Sequence, residues 1–290
     1  MSDKRNLAAT LERGAPIEPI PLPLARADWA RVREIYGRRP YGTAPLLTAP
    51  NANAKISKTT LPAYSCALYA GRRHGYVVCP NAGECECLCL GFHAGRNVFR
   101  DVRNAQAMRT YFLAEHPRSF YTIVADELRR AVRKRRREGG ARIACRLNSY
   151  SDVAHETVAP FLFEEFGADC VQFYDYTKRD PRVRKPPANY HLTYSADERT
   201  TTAEVREHLA NGRNVAVVGT RRKGEPLPVS IYPIIDGDAS DARWNDPRGV
   251  IVHLSLKGHK VDRSSPFLRD DLLGLGNAVT VLEISPRRAS

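Results

Sequence analysis

Thr201-Thr202-Ala203-Glu204-Val205-Arg206-Glu207-His208-Leu209-Ala210-Asn211-Gly212-Arg213-Asn214-Val215-Ala216-Val217-Val218-Gly219 is a helix delivered into a strand. Thr201 and Glu204 have the spacing of a capping box, which satisfies the orphan amides at a helix start. Asn211-Gly212 supplies the stop, and the β-branched run Asn214 to Val218 begins at once. Helix feeding strand across so tight a turn is the signature of a βα unit, and βα units build parallel sheets.

Outward from this stretch, short apolar runs alternate with amphipathic segments from about Asn53 to Leu256. The predicted strands are Tyr76-Val77-Val78, Arg142 to Leu147, Cys170 to Tyr174, Tyr190 to Tyr194, Asn214 to Val218 and Val250 to Leu254. The clearest helix carries Phe120, Ile123, Val124, Leu128, Ala131 and Val132 on one face, with Ser119 as its expected cap and Gly139-Gly140 as its stop. The first fifty residues, with PIEPIPLPL at positions 16–24, read as an extended N-terminal arm holding a short helical piece from Trp29 to Tyr36, because proline at this density opposes a long helix. Residues 51–262 form the expected catalytic domain, and 263–290 an extension packing on it.

The chain has 290 residues, enough for one large α/β domain. Its 45 Lys and Arg against 32 Asp and Glu leave a charge of +13, an excess that suits a polyanionic partner such as nucleic acid or a nucleotide. The run Arg133, Lys134, Arg135, Arg136, Arg137 ends the clearest helix; the helix dipole favours basic residues there, but their density exceeds what capping needs, and they form a candidate phosphate-contacting surface. No apolar run has the length of a bilayer span and the start lacks a secretory signal, so a cytoplasmic protein without membrane contact is expected.

Four of the seven cysteines fall in CPNAGECECLCL, residues 79–90. In a reducing compartment such a cluster points to metal or redox chemistry. The spacing lacks the paired C-x2-C knuckles of a zinc ribbon, whereas iron-sulfur clusters accept more varied spacing. In a helical turn Cys85 and Cys89 share a face, which makes Cys79, Cys85 and Cys89 the expected ligands and Cys87 a spare or fourth.

In repeated βα architecture the loops after the strands' carboxyl ends converge on one mouth. RLNSYSD supplies Arg146, Asn148, Ser151 and Asp152 there, YDYTK supplies Asp175, Thr177 and Lys178, and YHLTYS supplies His191 and Ser195. Asp152, Asp175 and Lys178 are the candidate catalytic groups and the others the candidate substrate contacts. Asp152 serves equally well as a helix cap, and a strand histidine such as His191 is more often a bonded core residue. The acids of IIDGDASDARWNDP, residues 234–247, lack the downstream Glu of a calcium loop and read as a turn whose carboxylates pair with Arg243 and other basic residues.

NAKISK, CPNAGECECLCL with the following AGR, RLNSYSD, VQFYDYTK, NYHLTYS, NVAVV and DGDASDARWNDPRGVIVHLSLKG resemble, in this order, the phage and plasmid family labelled "gene product eighty-eight". The resemblance covers roughly residues 50 to 260 and implies the cysteine pattern that falls on Cys79, Cys85 and Cys89. More distantly, the series is similar to the partial barrel of radical S-adenosylmethionine enzymes, although the cysteine spacing differs from their C-x3-C-x2-C. That resemblance implies a six-stranded partial (β/α) barrel, mostly parallel, a [4Fe-4S] cluster and S-adenosylmethionine as cofactor. The expectation is therefore an iron-sulfur enzyme modifying nucleic acid or a nucleotide. Two alternatives stand beside it: a base-exchange enzyme resembling tRNA-guanine transglycosylase with a zinc site, and a non-catalytic nucleic-acid-binding protein stapled by metal.

Overall fold

A computed structural model describes residues 6–36, 45–50, 59–71, 75–258 and 262–274. NAKISK, at positions 53–58, and the last sixteen residues of the expected C-terminal extension, 275–290, lie outside them. The strands are β1 Leu47–Thr48, β2 Ala63–Cys66, β3 Ile143–Arg146, β4 Val171–Thr177, β5 Tyr190–Ser195, β6 Val215–Gly219, β7 Ile234–Asp236 and β8 Ile251–Ser255. The helices are α1 Leu7–Arg13, α2 Leu22–Tyr36, α3 Leu90–His93, α4 Arg100–Glu115, α5 Pro117–Arg137, α6 His155–Val158, α7 Pro160–Glu165, α8 Pro181–Arg184 and α9 Thr202–Ala210.

One sheet holds all these strands in the order β1-β2-β3-β4-β5-β6-β8-β7. Every neighbour from β2 to β7 is parallel, and β1 caps the edge antiparallel. From β2 to β6 each strand lies beside its predecessor in the chain, the singly wound order of a (β/α) barrel, but no ladder among the described residues joins β1 to β7, so the sheet stays open. The expected parallel α/β architecture is present; the strand count is not six. Five expected strands coincide with β3, β4, β5, β6 and β8 to within a few residues. The first does not: Tyr76 makes only an isolated bridge, and the parallel series begins at β2, whose four residues, Ala-Tyr-Ser-Cys, are too short and too polar to stand out as a strand.

The N-terminal arm is also more helical than expected. Pro21 precedes α2 and Pro23 sits in its first turn, where a missing N–H costs nothing, so the helix runs on for 15 residues. Trp29 of α2 packs on Phe112 of α4 with ring centroids 4.7 Å apart. A half-buried carboxylate pins the sheet edge: Glu127 of α5 accepts from the amides of Leu46 and Leu47 at 3.0 and 2.8 Å. The opening stretch folds as read, with both halves of the Thr201–Glu204 capping box formed at α9.

β4 shows how the sheet divides. Val171 and Phe173 join Ile143, Cys145 and the α5 residues Phe120, Tyr121, Val124 and Leu128 in the main core. Each such fully buried large side chain contributes about 1.5–3 kcal/mol. Tyr174 and Tyr176 point to the opposite face, where Tyr174 packs with Ala63, Ala144 and Trp244, and Tyr176 with Ala216 and Val252. The first face is closed by helices. The second opens on a cleft.

Candidate functional site

After β2 the chain crosses over the carboxyl ends of β3, β4 and β5 and carries the cysteine loop there. The Val78 carbonyl accepts from Asp152 N at 2.9 Å, and the Cys79 thiol donates to the Tyr150 carbonyl at 3.2 Å, which ties the loop to the segment after β3. Arg199 Nη2 donates to the Asn81 carbonyl at 2.8 Å, and Glu84 N to Glu198 Oε1 at 3.3 Å, which ties it to the segment after β5. Gly83 leaves room for that second docking, since a Cβ there would stand 1.8 Å from Glu198 Oε1 and push the carboxylate aside. Cys85 lies in the single turn of 3-10 helix Glu84–Glu86, and Cys89 caps α3. Cys79, Cys85 and Cys89 are half-buried, whereas Cys87 is exposed.

These thiols share one electrostatic neighbourhood. Desolvation pushes Cys79 well above the ordinary thiol range, and the proximity of Cys89, Asp152 and Cys85 adds to it. Desolvation also raises Cys85, while the Lys178 ammonium pulls it down. Lys178 Nζ is buried without a hydrogen-bond partner, 3.8 Å from Asp197 Oδ2 and 4.6 Å over the ring of Phe267. Among the described residues no three His, Cys, Asp or Glu side chains stand in a finished metal-binding arrangement. The donor chemistry nevertheless fits a thiophilic metal: three thiols cluster, burial raises the pKa of Cys79 and Cys85 so that a bound cation favours losing their protons, and Cys79 holds its proton on a carbonyl that a metal bond would free.

Beside the loop lies a cleft of about 1240 Å³. Its floor takes a residue from the carboxyl end of each successive strand: Ser65 of β2, Arg146 of β3, Tyr176 of β4, Ser195 of β5, Val218 of β6 and Ser255 of β8. One wall is α4, which presents Asp101, Ala105, Gln106 and Arg109 along a single stripe. Arg96, Arg109, Arg146, Lys223 and Lys257 outnumber Asp101, Asp238 and Asp241 around it, which favours anionic ligands. Arg146 reaches Asp241 Oδ2 at 3.2 Å and lies 5.0 Å over the Tyr176 ring.

The expected site residues divide between the two faces. Arg146 and Ser195 line the cleft, as do Ser149 and Tyr150 from the same RLNSYSD segment. Lys178 stands next to the cysteine loop. His191 lies deeper, its pKa pushed down to about 4 by burial and by Arg243, with no partner at Nε2. Asn148, Ser151, Asp152, Asp175 and Thr177 are buried and bonded among themselves and their neighbours. Asp175, at 0% exposure, accepts from Asn148 N and the Tyr190 hydroxyl at 2.8 Å each, and Arg146 Nε is 3.8 Å away. Burial pushes its carboxyl up to about 7, against the pull of Arg146, Tyr190 and Asn148. Asp152 accepts from Thr177 Oγ1 at 2.8 Å and Lys178 N at 3.1 Å, with Arg184 Nη1 at 3.3 Å. It closes the turn after β4 rather than capping α6, whose cap position is Ala154.

The acids of residues 234–247 find the cationic partners expected of them. Asp236 pairs with Arg221 at 2.6 Å, Asp238 with Lys257 at 2.5 Å, and Asp246 with Arg243 at 3.1 Å. The residues that sequence reading missed are Gln106, Asn97, Ser149 and Tyr176, and the helical stripe through Asp101, Ala105 and Arg109 was the available signal for the first.

The basic run lies elsewhere. α5 ends at Arg137 and feeds β3 through residues 138–142, so Arg133, Lys134, Arg136 and Arg137 are exposed at the amino ends of the strands. The effect of Arg136 on Cys170, just ahead of β4, marks the same end. A strand of seven residues separates them from the cleft mouth by roughly 20 Å.

The family model described as Gene product 88 matches residues 43–270, a span holding the cysteine loop, the cleft and the basic helix end. The chain belongs to this family. No curated protein and no solved structure matches it. Among the described residues, no helix is long and apolar enough to cross a membrane.

Proposed function

We propose that this member of the Gene product 88 family is an iron-sulfur enzyme in which Cys79, Cys85 and Cys89 hold the cluster, acting on a nucleotide or nucleic acid in the adjoining cleft. The observation that carries the reading is the docking of the cysteine loop over the carboxyl ends of β3, β4 and β5, the same ends that floor the cleft. Cys79, Cys85 and Cys89 would hold such a cluster, and the chemistry it would supply when bound is one-electron donation to a cofactor of the S-adenosylmethionine class. The chain's own part is to bind and to tune. Lys178 offsets thiolate charge beside Cys85, Arg146 and Lys223 favour anionic substrate groups, and Tyr176 gives the floor an aromatic face.

Anaerobic purification with iron and sulfide analysis and an absorption spectrum tests this. Iron and acid-labile sulfide in the wild type, lost in Cys85→Ser and kept in Cys87→Ser, is the expected result. A second reading has its own support: the loop binds the segments after β3 and β5 together, which suits a metal that staples them. A colourless protein with one tightly held zinc, equally dependent on Cys79, Cys85 and Cys89, would establish the staple and overturn the cluster.

A further inference from the structure

We propose that the half of the cleft nearest the cysteine loop recognises a nucleobase bearing an exocyclic amine, and that Gln106 is the acceptor that reads it. The inference rests on the nucleotide or nucleic-acid reading above and names the part of the substrate that faces the thiols.

Gln106 belongs to the cleft wall yet is only 2% exposed, and its Oε1 has no hydrogen-bond partner. Its orientation is fixed from behind. Gln106 Nε2 donates to Asn97 Oδ1 at 2.8 Å, and Asn97 Nδ2 donates in turn to the Leu90 carbonyl at 2.9 Å and to the Tyr150 hydroxyl at 2.8 Å. Turning Gln106 over would set oxygen against oxygen at Asn97, and turning Asn97 over would do the same at Leu90, so the relay leaves the carbonyl oxygen, not the amide nitrogen, as the unpartnered group of this lining residue. An amide oxygen buried without a donor costs about 1–3 kcal/mol, and a relay of two amides that enforces the loss calls for a ligand N–H.

The relay also fixes where that N–H must lie. Leu90 follows Cys89 directly, and Tyr150 is the residue whose carbonyl holds the Cys79 thiol. Ser149, also in the wall, carries a hydroxyl without a partner. A hydroxyl donates or accepts as required, so Gln106 sets the sense of recognition. Adenine and cytosine offer an amine where hypoxanthine and uracil offer a carbonyl, which would face Gln106 Oε1 lone pair to lone pair.

Isothermal titration of the anaerobically purified full chain with AMP, IMP, CMP and UMP tests the proposal. The expected result is AMP tighter than IMP and CMP tighter than UMP by on the order of tenfold, a ratio that falls to near one in Gln106→Met and persists in Ser149→Ala. Equal affinity within each pair, a ratio unchanged in Gln106→Met, or no binding of any of the four at millimolar concentration overturns it. The wild-type ratio needs no variant, so a Gln106→Met chain that fails to fold leaves the proposal exposed to refutation. Iron and sulfide measured on the same samples keep the two readings apart: the amine preference in a metal-free protein supports this inference and removes the cluster, whereas full metal with no preference removes this inference alone.

Discussion

YDYTK sends alternate residues to opposite sides of the sheet, RLNSYSD divides its residues between the same two sides as it leaves β3 at Arg146, and the two sides do different work. On the cleft side Arg146, Ser149, Tyr150 and Tyr176 line open space. On the helix side Asn148, Ser151, Asp152, Asp175 and Thr177 are buried, and the hydrogen bonds among them hold the strand ends in register. A polar motif at a strand's carboxyl end is thus half site and half scaffold: in β4 the pleat decides which half a residue joins, and after Arg146 the path of the loop does.

The sharpest way to break this division is to remove one residue from each side. Asn148 Oδ1 accepts from Ser151 Oγ, Val153 N and His155 Nε2, and its amide nitrogen donates to the Val153 carbonyl. Asn148→Ala orphans several of these groups in the interior and is expected to lower the unfolding free energy by about 3–5 kcal/mol, read from urea denaturation. Ser149→Ala, one residue on, removes a hydroxyl that has no partner, and its expected change is within about 0.5 kcal/mol. Equal losses in the two variants would mean that the cleft side is scaffold as well.

A smaller effect, in pH, sharpens the same contrast. The folded-state pKa of Asp175, about 7, lies above the roughly 3.9 of an unfolded aspartate, so its contribution is fully present below the lower value and is lost as pH rises through the higher. His155 and His191 act in the opposite sense. Burial pushes them down to about 3 and about 4, so their contribution is complete above roughly pH 6.5 and is lost in acid. Between roughly pH 4 and 7 Asp175 therefore loses stability as pH rises while the two histidines gain it, and the wild-type profile is expected to be flatter there than their gain alone would make it. Asp175→Asn should steepen the rise across that window. An unchanged slope would mean that Asp175 does not titrate in it.

How much of this was legible in the sequence follows from the same geometry. The capping box at Thr201 and the run Asn214 to Val218 fixed a βα unit by local signals, and β3, β4, β5, β6 and β8 followed from apolar runs bounded by turns. The cysteine loop was expected directly after a strand at Tyr76 to Val78; it lies over the strand ends, but at the end of a long connection from β2. β2 was missed because four residues carry no period. The sides of β4 were not legible because VQFYDYT is bulky and largely apolar on both faces, so alternation alone does not tell which face the helices cover. Gln106 and Asn97 were invisible for another reason: their roles come from each other, across the turn between a 3-10 helix and α4.

The smallest effect concerns the basic end of α5, which shares neither side of the division. Arg133 and Arg137 are exposed, so replacing both with Ala should leave stability and metal content unchanged. If they touch phosphates, each lost contact lowers the slope of log affinity against log salt by about 0.9 for duplex DNA, and the double variant should bind a few-fold more weakly at moderate salt. Single-stranded substrates should show about 0.7 per contact, so a titration with both forms reads how many contacts are lost and on which. An unchanged slope with both would leave the run as a solvated helix end favoured by the dipole, and would move the whole electrostatic attraction of this +13 chain to surfaces that include the cleft rim at Arg96, Lys223 and Lys257.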